Sequence, residues 1–223
     1  MAMSVYLPEL HQDIILEALS QFYPEVSIDN LIGDGNFGCC FEVNQNTAVK
    51  VTCDILEVYT AIQMLGENQH YPDVFKVQKM TDDFYAIEQS RMQPLRPDDS
   101  QVVEEIIALI NERQGGLTLD VILNLESEGA FDFKHARKIL PSINNAVIEL
   151  MGKKEIEVFD LSVDNVMLKS GNIVLIDQRE SAIYLQVTPR HHLAILQHID
   201  ENEPNAPKVS NDGAPQNKVA YRR

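Results

Sequence analysis

The sequence has few of the residues that mark several large classes of protein. It holds no tryptophan, and aromatic residues make up only 7% of its 223 residues. No apolar run approaches the ~20 residues that a membrane-spanning helix needs, and Met1 to Leu10 lacks the basic and apolar regions of a signal peptide. The three cysteines (Cys39, Cys40 and Cys53) are odd in number and lack Cys-x-x-Cys spacing, which disfavours disulfides and thiolate metal sites. We therefore expect a cytoplasmic protein that does not enter a membrane.

Basic residues are also scarce. The chain has 18 Lys and Arg against 34 Asp and Glu, which gives a formal net charge of −16. Nonspecific binding to nucleic acid needs a positive surface, so this balance argues against a nucleic-acid partner. A protein of this charge that binds phosphate must concentrate its few cations, or a metal ion, at one place.

Apolar spacing divides the first ninety residues into short strands and two helices. Apolar residues at helical intervals predict an amphipathic helix over residues 8–22. Asp54 is the predicted N-cap of a second helix that ends near Gly66. The alternating pattern and the turn residues predict strands at 28–33, 38–43, 47–52, 74–80 and 84–88. This part of the chain is therefore predicted to be a β-rich unit with one inserted helix.

The composition changes after residue 92, and helical patterns become common. Two prolines and two aspartates in Gln93 to Ser100 predict a linker. Helices are predicted at about 100–113, 117–127, 133–153 and 189–199, and a small hairpin at 166–168 and 173–176. We predict an α+β protein with an N-terminal helical extension (1–27), a β-rich lobe (28–92), a helical lobe (93–200) and a disordered tail (201–223). A ligand cleft is expected between the two lobes.

A glycine-rich motif lies between two of the predicted strands. Residues 33–38 read Gly-Asp-Gly-Asn-Phe-Gly and fit G-x-G-x-x-G. In a dinucleotide site this motif ends a strand and opens a helix, whereas Cys39 to Val43 continues as a strand. Two interpretations remain: an ordinary tight turn, or a hairpin whose backbone N–H groups at Gly33, Gly35 and Gly38 approach phosphates.

Four further polar residues stand at informative places. Lys50 lies among apolar residues of a predicted strand, where a buried ammonium needs an anion as partner. Asp160 and Asn165 lie in a loop that leads into an apolar strand, and Asp177 ends the next strand. Carboxylate and amide oxygens are ligands that Mg²⁺ prefers. Three of them also have an ordinary structural interpretation: Lys50 as an edge charge, Asn165 as an Asn turn and Asp177 as a strand terminator.

In order and approximate spacing, this set resembles the protein-kinase-like superfamily over about residues 28–180. The compact atypical kinases, either RIO-type or bacteriophage-encoded Ser/Thr protein kinases, are the nearest in pattern. The resemblance implies a two-lobed kinase-like fold with an antiparallel β-rich N-lobe, one inserted helix and a reduced helical C-lobe. It also implies ATP and Mg²⁺ as cofactors and a protein substrate.

The resemblance implies a role for each residue. Lys50 would hold the α- and β-phosphates and pair with a helix carboxylate, for which Glu57 is the candidate and Asp54 the competitor. Residues 88–92, with Glu88 and Ser90, would form the hinge that meets adenine. Asp160 would orient or deprotonate the attacking hydroxyl, while Asn165 and Asp177 would hold Mg²⁺.

The sequence departs from the kinase pattern at several positions. Val158-Phe159-Asp160 replaces His-Arg-Asp, Asp177-Gln178-Arg179 replaces Asp-Phe-Gly, and no Ala-Pro-Glu follows. We therefore expect no activation segment. Three functions stay open: an atypical Ser/Thr protein kinase, a pseudokinase-like module that inhibits a partner by contact, and a small-molecule kinase.

Overall fold

The computed structural model describes residues 9–35, 37–114, 142–143, 145–146, 149, 162–176 and 189–202. The helices with both ends among these residues are α1 (Glu9–Phe22), α2 (Ile55–Gln63), α3 (Pro97–Gln114) and α4 (Pro189–Asn202). The strands are β1 (Leu31–Asp34), β2 (Gly38–Asn44), β3 (Thr47–Thr52), β4 (Val74–Lys79), β5 (Tyr85–Ser90), β6 (Gln93–Pro94), β7 (Val166–Lys169) and β8 (Asn172–Leu175). Among the described residues, no helix has both the length and the apolar character to cross a bilayer.

The first five strands form one antiparallel sheet in the order β1-β2-β3-β5-β4. Helix α2 is inserted between β3 and β4, so the sheet with its inserted helix is the β-rich lobe that the sequence predicts. Lys50 on the central strand β3 lies opposite Cys40 of β2 and Ile87 of β5. Because side chains alternate across a strand, Val49 and Val51 point to the opposite face from Lys50.

Helix α1 covers the face of the sheet to which Val49 and Val51 point. Ile15 and Leu19 of α1 are buried in one apolar cluster with these two valines. Tyr23, just after the helix, is buried in the same cluster, and its hydroxyl donates to Glu88 Oε2 at 3.0 Å. The predicted N-terminal helix is therefore a structural layer on the sheet.

The other face of the sheet packs against α2 and continues into a larger core. This cluster includes Val58 and Ala61 of α2. Among its other buried members are Val77, Ile87, Val103, Ile106, Ile143, Val166, Leu175 and Ile195. Residues on both sides of Gln93–Pro94 therefore share a single apolar core.

The loop between α2 and β4, residues 64–73, ties the large sheet to the β7–β8 hairpin. The ring Nδ1 of His70 lies 2.8 Å from the Ile173 carbonyl oxygen and must donate, because a carbonyl only accepts. Leu175 N–H donates to the His70 carbonyl at 3.0 Å, and Glu149 Oε2 accepts from His70 N–H at 2.7 Å. Lys169 of β7 forms an ion pair with Asp73 at the end of the loop.

Several element boundaries differ from the sequence prediction, and two of these differences have a clear local cause. Residues 28–30 form a 3-10 turn instead of the start of a strand, because Asn30 Oδ1 accepts from Ser27 N–H at 2.9 Å. The predicted linker 93–100 is shorter, because α3 already begins at Pro97. Proline has the φ angle of a first helical residue, and the acidic Asp98 and Asp99 favour the positive helix N-terminus.

Other predictions fall on residues that the structure does not describe. The helix predicted at 117–127, most of the helix at 133–153, and the tail beyond Asn202 lie outside the described residues. Asp160 and Asp177 also lie outside them.

Candidate functional site

A cleft of about 490 Å³ lies between the large sheet and the segment that leads into β7. The Gly-rich hairpin forms one wall, Lys50 and Glu57 lie within it, and Asn165 faces it from the other side. These residues are far apart in sequence and are brought together by the β2–β3 pairing, the inserted helix and the β7–β8 hairpin.

The Gly-rich hairpin has one glycine that its own packing requires and two that it does not. A Cβ built on Gly38 would lie 2.2 Å from the Val51 carbonyl oxygen, so β2 can approach β3 this closely only with glycine. A Cβ on Gly33 would meet nothing within 4 Å, and one on Gly35 would meet only the Gly38 carbonyl oxygen, at 4.0 Å. The space beside Gly33 and Gly35 is therefore open to a ligand that approaches the backbone.

Lys50 and Glu57 form an ion pair inside the cleft. Helix α2 begins with Asp54 as its N-cap, whose side chain accepts from Leu56 N–H at 2.9 Å. This start places Glu57 in the first turn, where its carboxylate meets the Lys50 ammonium. The exposed fractions of the two side chains are 16% and 11%. Asp54, the competing candidate, caps the helix, and the ammonium is held at one defined point of the cleft.

The opposite wall is formed by the short 3-10 turn Val163–Asn165 and the strand that follows it. Asn165 N–H donates to the Ser162 carbonyl at 3.1 Å, and the Asn165 carbonyl accepts from Ile176 N–H at 2.9 Å. Asn165 is therefore adjacent to the residue that precedes Asp177 in the sequence. Asp160 and Asp177 themselves are outside the described residues, so the structure does not place their side chains.

The donor set of these residues suits a hard cation. Asn165 lines the cleft and offers an amide oxygen, and the sequence places a carboxylate directly after Ile176. Oxygen donors of this kind are what Mg²⁺ binds, usually together with phosphate oxygens and water. Within the described ranges, no group of three His, Cys, Asp or Glu side chains forms a complete metal site.

Strand β5 contributes Gln89 to the cleft, a residue that the sequence did not predict there. Glu88 points away from the cleft, because its carboxylate accepts from Tyr23 on the α1 side. Gln89 and Ser90 line the cleft instead, with Gln89 opposite Ala48 of β3. The Ser90 N–H is engaged by the Asp73 carbonyl at 2.8 Å. The period-two alternation from Ile87 would have identified Gln89 as a cleft residue.

Cys39 is among the residues that border the cleft, but its side chain is buried in the apolar cluster on the α1 side of the sheet, with Val49 and Val51. Burial, together with the neighbouring Cys40 and Asp34, raises the pKa of Cys39 to about 12. At neutral pH the group is therefore a protonated thiol, which is a weak nucleophile. Its place in this apolar cluster gives Cys39 a packing role.

Comparisons with known proteins give similarity in structure alone. No protein-family model matches the sequence. No curated protein matches it either. A thermostable mutant of aminoglycoside phosphotransferase APH(4)-Ia, solved with AMP-PNP and hygromycin B, is 15% identical, with a TM-score of 0.36, and the match covers 74% of this chain and 71% of that one.

Two further solved structures show a similar likeness. A mutant of aminoglycoside 2′-phosphotransferase-IIIa with GDP is 15% identical, with a TM-score of 0.36 and coverage of 74% and 71% of the two chains. The complex of APH(2″)-IIIa with GDP and kanamycin is 15% identical, with a TM-score of 0.34 and coverage of 76% and 72%. At these values the likeness says nothing about the activity of this chain, so the interpretation of the cleft depends on its own residues.

Proposed function

We propose that this protein is an ATP- and Mg²⁺-dependent phosphotransferase, and more specifically a Ser/Thr protein kinase that lacks an activation segment. The observation that carries the proposal is the Lys50–Glu57 ion pair beside the Gly-rich hairpin. In protein kinases, a lysine on the third strand and a glutamate on the following helix form the pair that positions the nucleotide phosphates.

The surroundings of the pair support a role in binding an anion. Removing a lysine and a glutamate from water costs free energy that their attraction often fails to recover, so such a pair is weak evidence for stability alone. Here the pair faces a cleft, and the backbone of Gly33 and Gly35 lies beside open space. A triphosphate in that space would meet both the ammonium and the backbone N–H groups.

The remaining roles are proposed from the kinase resemblance together with the position of Asn165. Mg²⁺, when bound by Asn165 and Asp177, would neutralise charge on the phosphate oxygens. Asp160 would orient the acceptor hydroxyl and take its proton. The bond between the γ-phosphorus and the β,γ-bridging oxygen breaks, a bond from that phosphorus to the acceptor oxygen forms, and ADP leaves.

The base would lie at the other end of the cleft, against the residues that end β5. Gln89 and Met92 line the cleft there, whereas the Glu88 side chain is turned toward α1. We therefore propose that residues 89–92 meet the adenine ring. Of the two hinge residues taken from the resemblance, Ser90 remains at the cleft and Glu88 contributes no side chain to it.

Transfer of labelled phosphate tests the proposal directly. The purified protein would be incubated with γ-labelled ATP and Mg²⁺, alone and with a cell lysate, beside the variants Lys50→Met and Asp160→Ala. Lys79→Met is the matched control, because Lys79 is also a strand lysine with a carboxylate partner but its partner Asp82 is exposed on the surface. We expect protein labelling with wild type and Lys79→Met, and its loss with Lys50→Met, with Asp160→Ala or with EDTA.

Other outcomes would contradict the role of the ion pair or select a different function. Full labelling by the Lys50→Met variant would contradict the assignment of the ion pair. Label found only in small molecules would identify a small-molecule kinase. Tight nucleotide binding without any transfer would identify a binding module of the pseudokinase kind.

A further inference from the structure

Helix α4 packs directly against α2, although it follows the part of the chain that carries the kinase-like motifs. His191, Ile195 and Ile199 recur every four residues and therefore share one face of α4. Their exposed fractions are 1%, 1% and 7%. Ile195 and Ile199 belong to the same apolar cluster as Val58 and Ala61 of α2. The outer face of the helix carries exposed residues, so α4 has a defined inner side.

An aromatic contact lies where the two helices meet. The imidazole ring of His191 packs edge-on against the ring of Tyr59, with centroids 4.8 Å apart and planes at 76°. Tyr59 lies two positions after Glu57, and each helical residue turns the chain by about 100°. The two side chains therefore leave α2 on nearly opposite sides. Helix α4 supports α2 from behind, on the side away from Lys50.

The shortness of α2 makes this support important. The helix has only nine residues, and isolated helices shorter than ~12 residues are marginal in water. Its place and order therefore depend on what packs against it. The position of Glu57, which as a whole residue is 8% exposed, follows from the position of α2.

We infer that α4 is an intramolecular brace that holds α2 where Glu57 meets Lys50, and that His191 is a positioning residue for the nucleotide site. This inference rests on the proposed function, because the site that the brace supports is the proposed phosphate site. His191 would act through Tyr59 and α2 without contacting the nucleotide.

Removing the ring of His191 tests the inference through the affinity for MgADP. The variants are His191→Ala, the ring-restoring His191→Phe, and the control Leu196→Ala, whose side chain is 50% exposed on the same helix. The Kd is measured by titration calorimetry at 10 °C, and far-UV circular dichroism verifies that each variant is folded at that temperature. We expect His191→Ala to raise the Kd about fivefold, within the range found for coupled neighbours. His191→Phe should recover most of the affinity, and Leu196→Ala should bind as wild type.

A double-variant cycle separates positioning from a general loss of stability. If His191 acts through Glu57, then His191→Ala should raise the Kd far less when Glu57→Gln is already present. An equal fold-change in both backgrounds would overturn the inference, as would an unchanged Kd in the single variant despite a lower Tm. Ile195→Val provides a milder second perturbation of the same contact if His191→Ala does not fold.

Hydrogen exchange tests the brace independently of any nucleotide. The amides of α2 should exchange faster in His191→Ala than in wild type or Leu196→Ala, because local opening of α2 becomes easier. Faster exchange in a protein that binds no nucleotide would support the brace and reject the proposed function. Unchanged exchange in α2 would reject the brace while leaving the proposed function to the phosphate-transfer assay.

Discussion

Replacing Gly38 by alanine tests whether the Gly-rich hairpin needs glycine for its own strand pairing. The added Cβ would lie 2.2 Å from the Val51 carbonyl oxygen and 3.1 Å from Thr52 Cα. A carbon and an oxygen normally approach no closer than about 3.3 Å. Because the atoms in conflict belong to the backbone of β3, no side chain can rotate to remove the clash. The two strands must separate by about 1 Å at this point.

The cost of this separation has two sources. Overpacking a tight site costs about 1–3 kcal/mol, and a weakened ladder hydrogen bond adds about 1 kcal/mol. We therefore expect Gly38→Ala to lower the free energy of unfolding by about 2–4 kcal/mol. For a chain of this size, that loss corresponds to a Tm lower by about 5–15 °C.

Thermal unfolding followed by circular dichroism measures the effect, and Gly33→Ala serves as the matched control. A Cβ at Gly33 meets nothing within 4 Å, so this variant should unfold within about 2 °C of wild type. Its methyl group would instead occupy open space beside the proposed phosphate site and weaken MgADP binding. A Gly38→Ala protein with the Tm of wild type would refute the reasoning, as would two variants with equal losses of stability.

Two further substitutions test a contact on the α1 side of the sheet and the N-cap of α2. Tyr23→Phe removes the hydrogen bond to Glu88 and should lower the free energy of unfolding by about 1–2 kcal/mol at neutral pH. Burial and the Glu88 charge raise the pKa of Tyr23 above its unfolded value, so its contribution is lost as the pH rises above 10, and urea unfolding should show the difference from Tyr23→Phe shrinking there. Asp54→Ala removes the α2 N-cap and should cost about 1 kcal/mol in the same assay, whereas Asp54→Ser should retain most of it. Equal stability of the Ala and Ser variants would contradict the capping role.

Local signals in the sequence were sufficient for most elements of the structure. Asp54 predicts the start of α2 because a carboxylate that caps a helix lies directly before it. Ser170 and Gly171 predict the β7–β8 turn, and both have positive φ angles there, as a two-residue hairpin loop requires. Such features depend on a few neighbouring residues, so they can be derived without tertiary information.

Features that depend on contacts across the chain could not be derived in this way. The apolar stripe of α4 predicts a helix at 189–199, but nothing in that stripe identifies α2 as its partner. Alternation along β5 gives the direction of Glu88 only once the face to which Ile87 points is known, and the register of Ile87 with Lys50 establishes that face. The pairing of Lys50 with Glu57 was expected only from the kinase resemblance, since the spacing alone left Asp54 as a competitor.

The apolar core that runs from α2 through α3 and the β7–β8 hairpin to α4 has a consequence for how the protein unfolds. A fragment that ended before α3 would expose the apolar side of Val58 and Val77 to water, and the remainder would lose the same contacts from Val103 and Ile195. The two lobes are therefore not independent folding units, and we expect one cooperative transition instead of two. Co-expressed halves should recover a folded state only by associating with each other, with the shared core as their interface.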